Sequence, residues 1–340
     1  MRIVSVGILV FSFCASAVRA QTLERFEFEH GAMGTKFRIV LYAQHPADAN
    51  RAAAAAFRRV DQLDATLSDY DPLSELSRLS NTAGTEAWIP IGDDLWSVLL
   101  QSAHLATVTD GAFDVTVGPL TRLWRWANRR GVVPDEERIA HARAAVGHRL
   151  IQFDLSSQRV RLVAPGMRLD LGAIGKGFAA DAALVVLIRS GISHALIDAG
   201  GDIVASQSPP GTPGWRVEIP KVHNDTVGSE TIWLSDGAVA TSGDTYRYVE
   251  VDGVRYSHIL DPATGLGLTV RRITTVFAPT AVVADALASA ISVLGPIKGI
   301  ELVESRTQVF ARALQADGPV WRQWQSSEDH VDPSHIEHRN

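Results

Sequence analysis

Apolar residues return at helical spacing over Asp48–Leu67, where Ala52, Ala55, Ala56, Val60, Leu63 and Leu67 mark one face, and this period predicts a helix. The same reasoning predicts helices over Leu95–Thr109, Glu136–Ala145 and Lys176–Ser190, the last closed by Gly191. A buried helix is expected over Ala281–Leu294, ended by Gly295-Pro296. Alternating segments predict strands. Phe26 to Leu41 reads as two strands around a turn at Gly31–Gly34, and Leu150–Leu155 with Arg159–Val163 as a hairpin. Further strands are expected at His194–Asp198, Trp215–Pro220, Thr231–Ser235, Ala238–Thr241, Ile273–Ala278, Val309–Leu314 and Val320–Trp324, with a polar loop at His223–Ser229. Arg247–Val251 and Val254–Ile259 meet across Asp252-Gly253, a strong hairpin signal. Ser68 to Leu79 reads as a loop with a short helix after Ser74. Helices and strands mix without a β-α-β rhythm. The expectation is therefore one large α+β domain over residues 21–325, with mixed or antiparallel sheets and packed helices, followed by a loose polar tail over 326–340.

The first 20 residues have a different character. Arg2 is followed by an apolar run, Ile3–Phe13, too short to span a bilayer, and Val18-Arg19-Ala20 offers small residues for cleavage before Gln21. This predicts a signal peptide and an exported, periplasmic protein. Phe13 precedes Cys14 where a lipoprotein signal carries a small residue, which argues against lipidation. Cys14 is the only cysteine, so the mature chain has no disulfide, thiolate metal site or cysteine nucleophile. Without Arg2 and Arg19 the 32 basic residues fall to 30 against 38 acidic ones, and the net charge goes from −6 to −8. Nothing in that balance suggests a nucleic-acid footprint.

Chemistry concentrates in LDLGAIGKGFAAD, Leu169–Asp181. A carboxylate, three glycines, a lone lysine and a helix start are the parts of a nucleotide-phosphate site. The spacing fits neither the P-loop nor the G-x-G-x-x-G fingerprint. Asp170 and Lys176 could bind ligand or form a surface ion pair. Asp285 lies in the apolar run TAVVADALASAIS, where a carboxylate is costly unless paired or on a metal. Ser289 shares its helix face. A hard cation such as Mg²⁺ would suit these oxygens; a dipole-stabilised carboxylate beside a packing serine is the alternative. His258, in SHILDPATG, is a candidate base or an ordinary strand-end histidine. DAGGDI and GAFDVTVGPL place Asp198, Asp202 and Asp114 beside glycines or Phe113. Trp124 and Trp126 are the closest tryptophan pair, as stackers or as packing. His330, His335 and His338 are spaced too irregularly for a metal site.

Taken in order, these segments resemble the ApbE-type FAD:protein FMN transferases. The resemblance rests on MGT at Met33–Thr35, LSDYDPLSELSRLSN at Leu67–Asn81, GAFDVTVGPL, LDLGAIGKGFAAD, DAGGDI, ATSGDTYR at Ala240–Arg247, SHILDPATG and ADALASA at Ala284–Ala290. It implies an enzyme of phosphotransferase type. FAD is cleaved with Mg²⁺, AMP leaves, and FMN is joined to a threonine of an acceptor protein in an exported redox complex. Contact with a membrane would come through that acceptor. A pyrophosphatase releasing FMN and AMP, or an FAD-binding protein without turnover, are the alternatives. The resemblance implies that Met33, Tyr70, Ala112, Phe113, Asp114, Asp170, Lys176 and His258 contact FAD. It implies Asp285, Ser289 and the Ala173 carbonyl as magnesium ligands, and His258 and Asp285 as catalytic. Ser289 stands where the family usually has threonine.

Overall fold

The computed structural model describes residues 22–243, 248–327 and 336–338. The expected signal peptide, the end of the ATSGDTYR segment and most of the tail lie outside them. The strands are β1 (Glu24–Ala32), β2 (Thr35–Ala43), β3 (Ile89–Pro90), β4 (Ile151–Asp154), β5 (Arg159–Leu162), β6 (Ala195–Ala199), β7 (Asp202–Ala205) and β8 (Trp215–His223). They continue with β9 (Thr226–Leu234), β10 (Gly237–Gly243), β11 (Tyr248–Val251), β12 (Val254–Ser257), β13 (Arg272–Ala278), β14 (Phe310–Asp317), β15 (Val320–Gln325) and β16 (Ile336–His338). The helices are α1 (Pro46–Leu67), α2 (Glu75–Ser80), α3 (Asp93–Val108), α4 (Gly118–Asn128), α5 (Glu136–Arg143), α6 (Gly175–Arg189), α7 (Ala281–Leu294) and α8 (Pro296–Glu304).

Eight strands form one antiparallel sheet in the order β1-β2-β6-β7-β10-β13-β14-β15. The period-2 pattern of its strands separates two cores. Phe37, Ile39 and Leu41 of β2 point to one face with Ala195, Ile197, Ala240 and Val276. They pack there against α1, α6 and α7, whose buried positions are mostly alanine and so allow close approach. Val40, Leu196, Val239, Phe277 and Phe310 point to the other face, against Trp215, Val217, Ile232 and Leu234 of the β8–β9 hairpin. The result is three layers: helices, large sheet, small sheet. A third cluster of Leu120, Trp124, Ala142 and Leu260 seats the β11–β12 hairpin on α4 and α5. Among the described residues no helix is long and apolar enough to cross a membrane.

The architecture matches the expected α+β fold, with local corrections. The segment read as a polar loop at His223–Ser229 is the turned end of a long hairpin: His223 pairs with Thr226 across Asn224-Asp225, both at positive φ. Both faces of that end are exposed, so no alternation marked it. Gly118–Asn128 is a helix that begins with Pro119 in its first turn. Pro296 opens α8 as well as ending α7. Part of the tail is not loose, because β16 pairs with β9, Ile336 opposite Leu234.

Candidate active site

The centre of the site is the crossing of α6 and α7. Gly177 sits where the two helices touch: a Cβ there would lie 2.3 Å from the Ala281 carbonyl oxygen. Thr280 gives no side-chain cap to α7. Asp181 of α6 caps it instead, accepting from the amides of Ala281 and Val282 at 2.9 Å each. This locks the register that carries Asp285 to the Gly177 amide, 3.2 Å from Oδ2. Asp285 is 5% exposed. The glycine of the GKG run thus serves helix contact and lends its amide to a carboxylate.

Lys176 projects between two carboxylates. Its Nζ donates to Asp202 Oδ2 in a very short contact and to Asp285 Oδ2 at 3.4 Å. Burial alone would lower the pKa of this ammonium, but facing Asp285 and Asp202 outweigh burial and raise it. The lysine therefore stays charged. Burial, aided by the Asp285 charge, pushes Asp202 above the usual carboxylate range, with Lys176 opposing. Burial also pushes Asp181 up to about 6, against its two amide donors. So Lys176, a candidate for a ligand contact or an ion pair, is anchored between two carboxylates, one of them Asp202 of the DAGGDI segment.

A second cluster surrounds Asp170. The segments of Asp114–Gly118 and Arg168–Asp170 are zipped together: the Asp170 amide donates to Val115 O at 2.8 Å, and a Cβ on Gly118 would lie 2.4 Å from Arg168 O. Asp170 Oδ1 accepts from the Gly172 amide at 2.8 Å, and Oδ2 accepts from Arg125 Nη2 at 3.0 Å. Arg125 also donates to Asp69 in a very short contact, and its guanidinium lies 4.2 Å over the ring of Tyr70. Burial and the neighbouring Asp170 charge raise Asp69, with Arg125 opposing. Tyr70 is 76% exposed. Sequence reasoning missed Arg125 and Asp69. The available signal was α4 itself, with Leu120, Leu123, Trp124 and Ala127 at helical spacing.

The remaining expected residues take varied places. Asp114 is buried and engaged by its own loop and by the distant His148 turn: Oδ1 accepts from the Thr116 amide and hydroxyl, Oδ2 from the His148 amide. Phe113 is buried in the main core, with Ala112, Ala173 and Met33 packed against that core. Met33 has φ 50°, and its amide donates to Asp64 Oδ2 at 2.8 Å. Ser289 is half-buried, one turn beyond Asp285. His258 is exposed, just past β12. Its segment is tied to α4 by Trp124 Nε1 donating to Gly265 O at 2.8 Å. Trp124 is thus a packing residue. The guanidinium groups of Arg130 and Arg138 each lie over the Trp126 ring, 4.7 Å from its centroid. Gly200 admits Thr35, whose Oγ1 would lie 2.2 Å from an added Cβ, so this glycine brings the MGT and DAGGDI segments together.

Among the described residues no three His, Cys, Asp or Glu side chains stand together as a metal cluster. The expected magnesium set needs less: one carboxylate, one hydroxyl and one carbonyl, all hard oxygen donors. Asp285 and Ser289 on one helix face, with the Ala173 loop leading into the helix packed against them, fit that set.

Fold and site define a three-layer α+β protein with a lysine–carboxylate centre at a helix crossing. The ApbE family model matches residues 33–313, and the chain belongs to the ApbE family. It is 34% identical over 292 residues to the FAD:protein FMN transferase of Vibrio cholerae serotype O1, covering 83% of this chain and 85% of that protein. Against that of Escherichia coli strain K12 the identity is 32% over 308 residues, 88% and 86% of the two chains. Among solved structures, the flavin transferase ApbE from Vibrio cholerae superposes with a TM-score of 0.81 at 29% identity, covering 90% of this chain and 98% of that one. The apo flavinyl transferase ApbE of Pseudomonas stutzeri gives 0.79 at 29%, covering 89% and 95%.

Proposed function

We propose that this protein is an FAD:protein FMN transferase that, with Mg²⁺, moves the FMN moiety of FAD onto a threonine of an exported acceptor protein and releases AMP. The relatives carry the activity in their names. The observation that supports it most in this chain is the buried carboxylate of Asp285, held beside Lys176 and the Gly177 amide. In the reaction, the threonine oxygen attacks the FMN phosphorus, the bridging P–O bond breaks towards AMP, and the hydroxyl proton goes to a base. Magnesium held by Asp285, Ser289 and the Ala173 carbonyl would supply charge neutralisation for the leaving phosphate. Lys176 adds a fixed positive charge near that phosphate, and its two carboxylates keep it protonated. His258, exposed just past β12, is the residue that would take the threonine proton. Asp170, reached through the loop that opens α6, offers a carboxylate to a hydroxyl or base edge of FAD. Positioning and charge neutralisation account for most of such catalysis. Export is supported by the short apolar run Ile3–Phe13 and the small residues before Gln21.

The test separates transfer from hydrolysis. The protein is incubated with FAD, Mg²⁺ and a threonine-bearing acceptor domain, and the products are resolved by chromatography. AMP formed in equal amount to flavin bound on the acceptor, and abolished by Asp285→Ala, is expected. Free FMN with an unmodified acceptor would replace this reading with a pyrophosphatase.

A further inference from the structure

We infer that Arg125 sets the affinity for FAD by holding the Tyr70 ring as a preformed stacking face for one of the flat rings of FAD. This rests on the flavin-transfer reading above. Tyr70 is 76% exposed, so no core packing fixes its side chain. Its backbone is already ordered: Ser68 Oγ accepts from the Tyr70 and Asp71 amides at 3.2 and 3.1 Å, and Asp71 Oδ1 accepts from the Leu73 amide at 2.8 Å. The remaining freedom is rotation of the ring. The guanidinium of Arg125, 4.2 Å from the ring centroid, covers one face and limits that rotation. The other face is left for a ligand.

Arg125 is itself held from three sides. One nitrogen is on Asp69, the neighbour of Tyr70, and the other on Asp170 at 3.0 Å. Its helix is fixed by Trp124, bonded to Gly265 O at 2.8 Å. One planar group thus ties the Tyr70 loop, the Asp170 segment and α4 together. A lysine cannot reproduce this, because it offers a point charge rather than a flat two-pronged donor. A ring ordered before the ligand arrives costs less entropy on binding. Arg125 is a positioning residue here, acting through Tyr70.

The test is a double-mutant cycle on FAD affinity, read by flavin fluorescence in excess EDTA so that neither metal nor turnover enters the readout. The proteins are wild type, Arg125→Met, Tyr70→Ala and the double variant. Arg125→Met is expected to weaken FAD binding about tenfold when Tyr70 is present and less than about twofold when it is alanine. Arg125→Lys is expected to follow Arg125→Met. The same loss in both backgrounds, or wild-type affinity in Arg125→Lys, would overturn the inference. Should Arg125→Met lack a folded circular-dichroism spectrum, Arg125→Lys carries the same cycle. A wild-type protein that binds FAD neither in EDTA nor with Mg²⁺ would instead overturn the flavin-transfer reading itself.

Discussion

The contact at Gly177 gives the sharpest structural prediction. Replacing it with alanine places a Cβ 2.3 Å from Ala281 O, 2.6 Å from Ala281 C and 2.8 Å from Val282 N. All three are backbone atoms at the start of α7, so no flexible side chain can swing aside. The helices must part by several tenths of an ångström or more. Overpacking of this kind costs about 1–3 kcal/mol. The displaced atoms belong to the residues whose amides bond Asp181, and the glycine's own amide bonds Asp285. Weakening these charge-assisted bonds adds about 1.5–3 kcal/mol. Alanine's better helix propensity returns about 1 kcal/mol. The net loss is about 1.5–5 kcal/mol, a drop in melting temperature of roughly 2–8 °C for a domain of this size. Gly175→Ala is the control, because its Cβ would meet only Leu171 Cβ at 3.8 Å. Thermal melts by circular dichroism, with urea titrations for the free energies, compare the two. A Gly177→Ala protein that melts with the wild type, or no lower than Gly175→Ala, would refute the helix-crossing account.

Other perturbations follow from the same geometry. The folded value of Asp181, about 6, lies above its ordinary 3.8, so between these values the folded state binds the extra proton. Wild type should therefore gain about 1–2 kcal/mol relative to Asp181→Asn as pH falls from 7 to 4.5, measured by urea titration at each pH; a constant gap would contradict the assignment. Trp124→Phe strands the Gly265 carbonyl, so it should lose about 1–2 kcal/mol by the same titration and increase amide exchange in the His258 segment by mass spectrometry. Ser289→Thr should tighten Mg²⁺ binding several-fold by calorimetry with FAD present, since the added methyl restricts the hydroxyl rotamer; unchanged affinity would show that Ser289 already holds its rotamer.

Much of this molecule is legible in its residue pattern, and the gaps have physical causes. The bounds of α7 follow from a mostly apolar run between Thr280 and Gly295, those of α1 from a helical period, and the end of α6 from Gly191. The β2 alternation shows which side chains meet the helices. Helix α4 shows in the helical spacing of Leu120, Leu123, Trp124 and Ala127, but the role of Arg125 does not, because it depends on a fold that brings Asp69 and Asp170 to one place. The turned end of β8–β9 has no buried face to print a pattern. At the site, motifs could mark Lys176, Asp202 and Asp285 as chemical residues. That the lysine lies between the two carboxylates depends on the helix crossing, which only the packed structure supplies.

The central claim is that this chain moves FMN from FAD to an acceptor threonine at the Asp285 centre. Intact mass spectrometry of the acceptor, after incubation with the protein, FAD and Mg²⁺, tests it most directly. The account predicts a gain of one FMN less water, mapped to a threonine and absent with Asp285→Ala. An acceptor of unchanged mass beside fully converted FAD, or a modification that persists in Asp285→Ala, would contradict it.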